Sequence, residues 1–161
     1  MTKELLQELF YYQNGFLFNK VKRSSNAMPN TMAGTLPNNS EYRRVSISNK
    51  VYLEHRIIWI LFNGAISKDL FIDHINQNKK DNRIENLRLC TRSENQYNRN
   101  AYKNNTSGYK GVSFNKALQK YSAQMRINDI KKHLGYFDSA ELAKEAYDLK
   151  AIDIQGKFAT I

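Results

Sequence analysis

The chain has 161 residues, enough for one ordinary domain or two small ones, and its mean hydropathy of −0.67 excludes a membrane protein. The charged start, MTKELLQELF, does not fit an export signal, and the single cysteine, Cys90, excludes an internal disulfide, so we expect a cytoplasmic protein. Twenty-five basic residues against fifteen acidic ones give a net charge of +10, which favours nucleic acid as a partner, although a merely basic soluble protein has the same charge.

The first third of the chain predicts two β-hairpins and a buried helix. Aromatic and aliphatic residues flank Asn14-Gly15, and this dipeptide is the strongest short hairpin signal. The stretch YRRVSISNKVYL alternates apolar and polar residues and predicts a second hairpin that turns at Ser48-Asn49-Lys50. HRIIWILFNG is apolar all round and ends at Gly64, which is typical of a short buried helix with a glycine stop.

The next segment, LFIDHINQNKKDNRIENLRLCTRSEN, predicts a strand, a long turn, a second strand and a helix. Thr91 and Glu94 have the spacing of a capping box, so the helix starts there and carries Asn95 in its first turn. In this interpretation Asp73 and His74 lie on the first strand, and the helix packs across it.

A polar, basic linker follows, and we place a domain boundary between residues 103 and 104. Three strand-like runs, YKGVSF, KYSAQMRI and KKHLGYF, precede a capping box of Asp138 and Glu141 and a helix from Ser139 to Gln155. Residues 103–137 contain seven basic residues and one acidic residue, whereas residues 138–161 contain three and five. A nucleic acid bound here should therefore contact the sheet and not the helix.

Asp73, His74, Asn86 and Asn95 together suit metal-assisted hydrolysis of a phosphodiester. A histidine whose pKa lies near about 6.5 can accept a proton at neutral pH. A carboxylate and an amide oxygen suit Mg²⁺ or Mn²⁺ better than zinc. On the residues alone, a neutral alternative stays open, in which His74 is hydrogen-bonded at a strand end and Asn86 belongs to a turn.

The segment from His55 to Asn95 resembles the HNH endonucleases of phage and intron-encoded homing enzymes. The resemblance implies a ββα-metal fold in which His74 is the general base and Asn86 orients it. It further implies that Asp73 and Asn95 hold one divalent metal ion, Mg²⁺ or Mn²⁺, and that the products carry 5′-phosphate and 3′-hydroxyl ends. The zinc-binding cysteine pairs of some HNH proteins are absent, so no zinc is expected.

From Ser107 onward the chain resembles the Apetala/ethylene-response-factor DNA-binding domains, through YKGV, Arg126, LGYF and AYD. That family lays a three-stranded sheet in the major groove of DNA. The Trp-Gly pair that follows its first strand is missing here, and several of its arginines are replaced by Ser113, Asn115 and Lys131. Lysine lacks the bidentate fork of arginine, so the sequence preference of that family should not be transferred. The residues that would face DNA by this resemblance are Lys110, Ser113, Lys120, Gln124, Arg126 and Lys131.

The sequence thus predicts an α+β protein with two domains, residues 1–103 and 104–161. The first would be an HNH nuclease domain preceded by β-hairpins, and the second a three-stranded antiparallel sheet packed on one helix. We expect a homing-type endonuclease that binds double-stranded DNA as a monomer rather than a dimer, nicks it, and needs no small-molecule cofactor. The alternatives are an inactive DNA-binding regulator, or a nuclease that acts on RNA or without sequence preference. The roles of His55 and His133 stay open.

Overall fold

The structure, a computed structural model, describes residues 1–98, 105–127 and 130–159. The chain divides into two compact units, Met1–Arg92 and Ser93–Ile161. The boundary predicted between residues 103 and 104 lies outside the described residues. Helices and small antiparallel sheets occur in both units, which confirms the α+β class. In the part of the chain that the structure describes, no helix is both long and apolar enough to cross a membrane.

The first unit is built from helices and three antiparallel hairpins, each of which forms its own two-stranded sheet. A short 3-10 turn precedes the last strand, and the helix that follows this strand begins at the last residue of the unit. In chain order the elements are α1 (Lys3–Leu9), β1 (Phe10–Gln13), β2 (Phe16–Asn19), β3 (Arg44–Ile47), β4 (Lys50–Leu53), α2 (Glu54–Asn63), β5 (Phe71–His74), β6 (Leu87–Cys90) and α3 (Arg92–Tyr97).

The turns of the first two hairpins form where the sequence predicts them. Asn14 and Gly15 have φ values of 47° and 87°, and Ser48 and Asn49 have φ values of 47° and 60°. Two successive residues with positive φ match the right-handed twist of the flanking strands, so these turns close tight hairpins. Helix α1 was not predicted, and it begins after Thr2, whose side chain accepts a hydrogen bond from the backbone N–H of Leu5.

The core of the first unit lies where α1 and α2 pack against the hairpins. Side chains from α1, β1, β2, β3, α2 and β6 form one buried apolar cluster. The contribution of β6 to this cluster ties the hairpin that carries Asp73 and His74 to the rest of the unit. The buried members are Leu6, Phe10, Leu17, Val45, Ile47, Ile57, Ile58, Ile60 and Leu87.

The second unit contains the predicted three-stranded sheet and helix. Strands β7 (Val112–Asn115), β8 (Lys120–Ile127) and β9 (Ile130–Phe137) pair antiparallel in this order. Helix α4 (Ala140–Gln155) packs on one face of the sheet. Buried Ala143, Tyr147 and Ala151 of this helix meet buried Val112, Ala123 and Met125 of the strands.

The start of α4 differs from its prediction by one residue. The helix cap is Ser139 and not Asp138, since the Ser139 side chain accepts a hydrogen bond from the backbone N–H of Leu142. Asp138 instead forms an ion pair with Lys120 at 3.1 Å. A hydroxyl and a carboxylate are similarly good caps, so the sequence alone does not decide between neighbouring candidates.

Gly111 allows the segment before β7 to pass close to α4, and its replacement by alanine should destabilise the second unit. Its φ is +72°, and a Cβ atom there would lie 2.2 Å from Tyr147 Cε2 and 2.5 Å from the carbonyl oxygen of Gln124. Left-handed strain of about 1–2 kcal/mol and overpacking of about 1–3 kcal/mol predict a total loss of about 3 kcal/mol. Urea unfolding of Gly111→Ala measures this loss.

Gly108→Ala is the matched control, because Gly108 also has a positive φ, +77°, but a Cβ atom there meets nothing within 4 Å. The free energy of unfolding of Gly108→Ala should fall by only about 1–2 kcal/mol, which is the cost of left-handed backbone strain. Equal losses in the two variants would contradict the close approach at Gly111.

Candidate active site

Strand β5 ends with Asp73 and His74, which lie opposite Arg88 and Leu87 of β6. Both side chains are buried, with relative exposures of 7% for Asp73 and 4% for His74. Successive side chains of a strand point to opposite faces, so the carboxylate and the imidazole meet different neighbours. A short strand thus places a carboxylate, which is a hard oxygen donor, and an imidazole one residue apart.

Arg88 holds the carboxylate of Asp73 in place. The Nε and Nη2 atoms of Arg88 donate to Asp73 Oδ2 at 2.8 Å and 2.7 Å. Both contacts go to the same carboxylate oxygen, and a carboxylate has acceptor capacity on both of its oxygens. A carboxylate is a hard oxygen donor, and the donor chemistry at this position fits Mg²⁺ or Mn²⁺.

His74 lies among aromatic rings and polar side chains. Its ring centroid is 5.1 Å from that of His55 and 6.1 Å from that of Tyr42, and its Nε2 atom is 3.0 Å from Asn82 Oδ1. Burial lowers the pKa of His74 below its ordinary value, while the hydrogen bond to Asn82 and the charge of Asp73 oppose this shift. The imidazole is therefore neutral at neutral pH, the form that accepts a proton.

Asn86, predicted to orient His74, contacts the loop between β5 and β6 instead. Its Nδ2 atom donates to Asn76 Oδ1 at 2.9 Å and to the carbonyl oxygen of Asp81 at 2.8 Å. Its Oδ1 atom accepts a hydrogen bond from the backbone N–H of Asn76 at 3.0 Å. The amide that contacts the imidazole belongs to Asn82, and Asn86 fixes the loop that carries Asn82.

Asn95, the predicted second metal ligand, lies on α3 with an exposed side chain. The first residue of this helix, Arg92, belongs to the first unit and Asn95 to the second. The assignment of Asn95 as a ligand stays a prediction. Within residues 1–98, 105–127 and 130–159, no three His, Cys, Asp or Glu side chains group together as metal ligands.

Most of the residues predicted to contact DNA share one face of the second unit's sheet. Residues directly opposite each other on neighbouring strands point to the same face. Ser113 lies opposite Ser122, Gln124 opposite His133, and Arg126 opposite Lys131. Along β8 the residues that alternate with these, such as Ala123 and Met125, are buried with α4. The face away from the helix thus carries Ser113, Lys120, Gln124, Arg126 and Lys131.

Lys110 differs from the other predicted DNA contacts, because it precedes β7 and is half-buried. Its ammonium group donates a hydrogen bond to the backbone carbonyl oxygen of Tyr97. Burial lowers the pKa of Lys110 to about 8. A lysine held in this way makes a local structural contact within the second unit.

His55 should make the first unit less stable as the pH falls. Burial first, and the charges of His74 and Arg56 second, lower the pKa of His55 from 6.5 to about 3. In the unfolded chain this histidine gains a proton as the pH falls through about 6.5, whereas in the folded chain it does not. The free energy of unfolding should therefore fall by about 2 kcal/mol between about pH 7 and pH 5.

Urea unfolding of wild type and His55→Phe across this pH range tests that effect. The variant should lose most of the pH dependence and keep the smaller part that comes from His74, whose pKa is also lowered by burial. The same pH dependence in both proteins would show that His55 is not the cause.

Sequence reasoning missed Glu54 and Arg43 and assigned Asn82 only to a turn. Glu54 is fully buried at the start of α2, where it pairs with Arg43 and receives a hydrogen bond from Asn82. The one available signal was the position of this glutamate directly before His55 in LEHRIIW, ahead of an apolar helix. These three residues lie far apart in the chain, so no spacing rule joins them.

Comparisons with known proteins match the segment of the chain that contains Asp73 and His74. The model of the HNH endonuclease family matches residues 52–97, which include β5, β6 and α3. The chain is 33% identical over 106 residues to an uncharacterised HNH endonuclease of Acanthamoeba polyphaga mimivirus, an alignment that covers 65% of this chain and 54% of the relative. It is 31% identical over 105 residues to Protein 3.8 of Escherichia phage T7, covering 65% of this chain and 86% of that protein.

The chain therefore spans about half the length of the mimivirus relative and most of the phage one. No solved structure matches the chain significantly.

Proposed function

Because the chain belongs to the HNH endonuclease family, whose domain is a phosphodiester hydrolase, we propose that it is a metal-dependent DNA endonuclease of the homing type. The observation that carries the proposal is the pair formed by the buried neutral His74 and the Asp73 carboxylate on one strand. This strand lies within the segment that matches the family. The neutral alternative, a histidine that merely satisfies a hydrogen bond at a strand end, gives no reason for this match.

In the proposed reaction, His74 accepts a proton from the water that attacks the scissile phosphorus. A neutral imidazole is a competent base, and general-base catalysis contributes about 10²- to 10⁴-fold to rates of this kind. The bond between phosphorus and the 3′ oxygen breaks, the 3′ oxygen takes a proton from a solvent water molecule and leaves as a hydroxyl, and the phosphate stays on the 5′ end. Burial of the imidazole keeps it in the base form over the neutral pH range.

Asp73 would hold a single divalent metal ion through its carboxylate, with Asn95 as the second ligand. A bound Mg²⁺ or Mn²⁺ supplies positive charge for the phosphate and for the leaving oxygen. Arg88 keeps the carboxylate in one orientation, since it contacts Oδ2 from two nitrogen atoms. Two hard oxygen ligands leave most of an octahedral shell to water and phosphate, which is how magnesium is usually bound.

The second unit would bind double-stranded DNA through the sheet face opposite α4, as the resemblance to Apetala/ethylene-response-factor domains implies. This face carries cationic Arg126 and Lys131 next to the amide of Gln124. Cationic side chains contribute affinity through phosphate contacts, and amide side chains can contact base edges. One catalytic centre per chain cuts one strand in each encounter, so a monomer should nick its substrate.

A competition between nucleic acids tests the proposed substrate. Labelled duplex DNA and duplex RNA pools of matched sequence would be incubated with the protein in Mg²⁺, and the products resolved on a denaturing gel. We expect cleavage of DNA only, with nicks that DNA ligase seals, because sealing requires a 5′-phosphate and a 3′-hydroxyl. Preferential cleavage of RNA, or DNA nicks that ligase cannot seal, would overturn the assignment.

A further inference from the structure

We propose that Glu54 is a positioning residue that acts through Asn82 to fix the tautomer of His74, with the hydrogen on Nε2 and the proton-accepting lone pair on Nδ1. The family resemblance identifies four site residues, and neither Glu54 nor Asn82 is among them. These four are Asp73, His74, Asn86 and Asn95. The inference rests on the proposed role of His74 as the base, and it names the ring nitrogen that performs that role.

The carboxylate of Glu54 faces hydrogen-bond donors from three parts of the first unit. Its side chain has no solvent exposure. Oε1 accepts the backbone N–H of Leu17 at 3.1 Å, and Oε2 accepts Nε of Arg43 at 2.7 Å. An ionised carboxylate only accepts hydrogen bonds, so every group that contacts Glu54 here must present a donor to it. The carboxylate thus dictates the orientation of its neighbours.

Asn82 links Glu54 to the imidazole of His74, because its side-chain amide contacts both groups. It is 1% exposed, and its Nδ2 atom donates to Glu54 Oε2 at 3.2 Å. The other end of the same amide, Oδ1, lies 3.0 Å from His74 Nε2. An amide rotated by 180° would place Oδ1 against the Glu54 carboxylate, so that two acceptors would face each other in a buried environment. Glu54 therefore selects the orientation in which the amide oxygen faces the ring.

An oxygen that faces Nε2 requires a hydrogen on that nitrogen. A neutral imidazole carries one N–H and one lone pair, so the lone pair then lies on Nδ1. At the other end of this network, Glu54 pairs with Arg43. The guanidinium of Arg43 is itself held in place, because it also donates a hydrogen bond to the carbonyl oxygen of Gly34 at 2.5 Å. The orientation is thus set by the ion pair of Arg43 and Glu54, which lie 39 and 28 residues before Asn82 in the sequence.

The tautomer can be measured by long-range ¹H–¹⁵N NMR of the histidine rings, in the full-length protein without metal or DNA. Wild type at neutral pH should show His74 Nε2 as a protonated nitrogen whose hydrogen exchanges slowly, and Nδ1 as an unprotonated nitrogen. Asn82→Ala should lose this slowly exchanging hydrogen. Glu54→Gln, in which one carboxylate oxygen becomes a donor, should allow the amide of Asn82 to rotate and give a mixture of tautomers. A wild-type ring with its hydrogen on Nδ1 would overturn the proposal.

Cleavage rates then separate positioning from a merely structural effect. Asn82→Ala and Glu54→Gln should cleave about 10- to 100-fold more slowly under conditions where each is folded. Asn78→Ala, in the same loop, and Glu85→Gln, at an exposed glutamate, are the matched controls and should keep both the tautomer and the rate. If Glu54→Gln does not fold, the same NMR measurement on Glu54→Asp tests the role of Glu54, because the shorter side chain withdraws the carboxylate from Asn82 and should also give a mixture of tautomers.

The two proposals fail in different ways. A wild type that does not cleave DNA but shows the Nε2–H tautomer would overturn the nuclease proposal alone. A wild type that cleaves while Asn82→Ala keeps an unchanged tautomer and rate would overturn the role of Glu54 and Asn82 alone.

Discussion

Replacement of His74 by alanine is expected to slow single-turnover DNA cleavage by about 10²- to 10⁴-fold while DNA affinity stays close to that of wild type. The expected loss is large because the imidazole is the proton acceptor in the proposed reaction. The neighbouring His55 ring, 5.1 Å away, is a much weaker base, since burial lowers its pKa to about 3. Affinity should be preserved because, in the proposed mode of binding, cationic side chains elsewhere, such as Arg126 and Lys131, would supply the phosphate contacts.

The measurement is a single-turnover rate at saturating protein, with binding measured separately by gel shift in Ca²⁺. Thermal unfolding of His74→Ala is the necessary companion, because His74 is 4% exposed and its removal leaves a cavity beside His55. Folded His74→Ala that cleaves as fast as wild type would refute the assignment of the base.

Replacement of Asp73 by asparagine is expected to lower cleavage by at least about 10²-fold at low Mg²⁺ concentration, with partial recovery as Mg²⁺ is raised. The amide keeps the shape of the carboxylate but loses its charge, so the metal ion binds more weakly. Some loss of stability should accompany this change, because Arg88 then lacks its anionic partner at a site where both side chains are about one-tenth exposed.

Cleavage measured as a function of Mg²⁺ concentration separates the two effects. A metal ligand shifts the metal requirement, whereas a purely structural residue lowers the rate equally at every concentration. Asp69→Asn, at an exposed aspartate of the same unit, is the matched control and should behave as wild type. An unchanged Mg²⁺ requirement in Asp73→Asn would exclude this carboxylate as the ligand.

The parts of the fold that could be predicted from sequence are those that local chemistry decides. Asn14-Gly15 and Ser48-Asn49 fix the first two turns through their φ preferences, and Gly64 ends α2 with a φ of 82°. The three strands of the second unit follow from short runs between turn residues. In each of these cases the deciding residues lie within a few positions of one another.

The parts that could not be predicted depend on contacts between distant positions. Asn82 has the sequence signature of a turn residue, and only the folded chain brings it against Glu54, 28 residues earlier. The resemblance predicts that Asn86 orients the imidazole, but the Nδ2 atom of Asn86 donates its hydrogen bonds to Asn76 Oδ1 and to the carbonyl oxygen of Asp81. Asparagine fits turns, caps and polar networks equally well, so a segment rich in asparagine does not show which amide takes which role.

Relaxation of supercoiled DNA is the decisive test of whether this protein is a metal-dependent nuclease that uses His74 as its base. A plasmid library of genomic fragments would be incubated with wild type or His74→Ala, in Mg²⁺ or Mn²⁺ or with EDTA. We expect open-circular DNA only for wild type with metal, and the mapped nick then gives the target sequence. Nicking by wild type in EDTA, or by His74→Ala as efficiently as by wild type, would refute metal-dependent cleavage with His74 as the base.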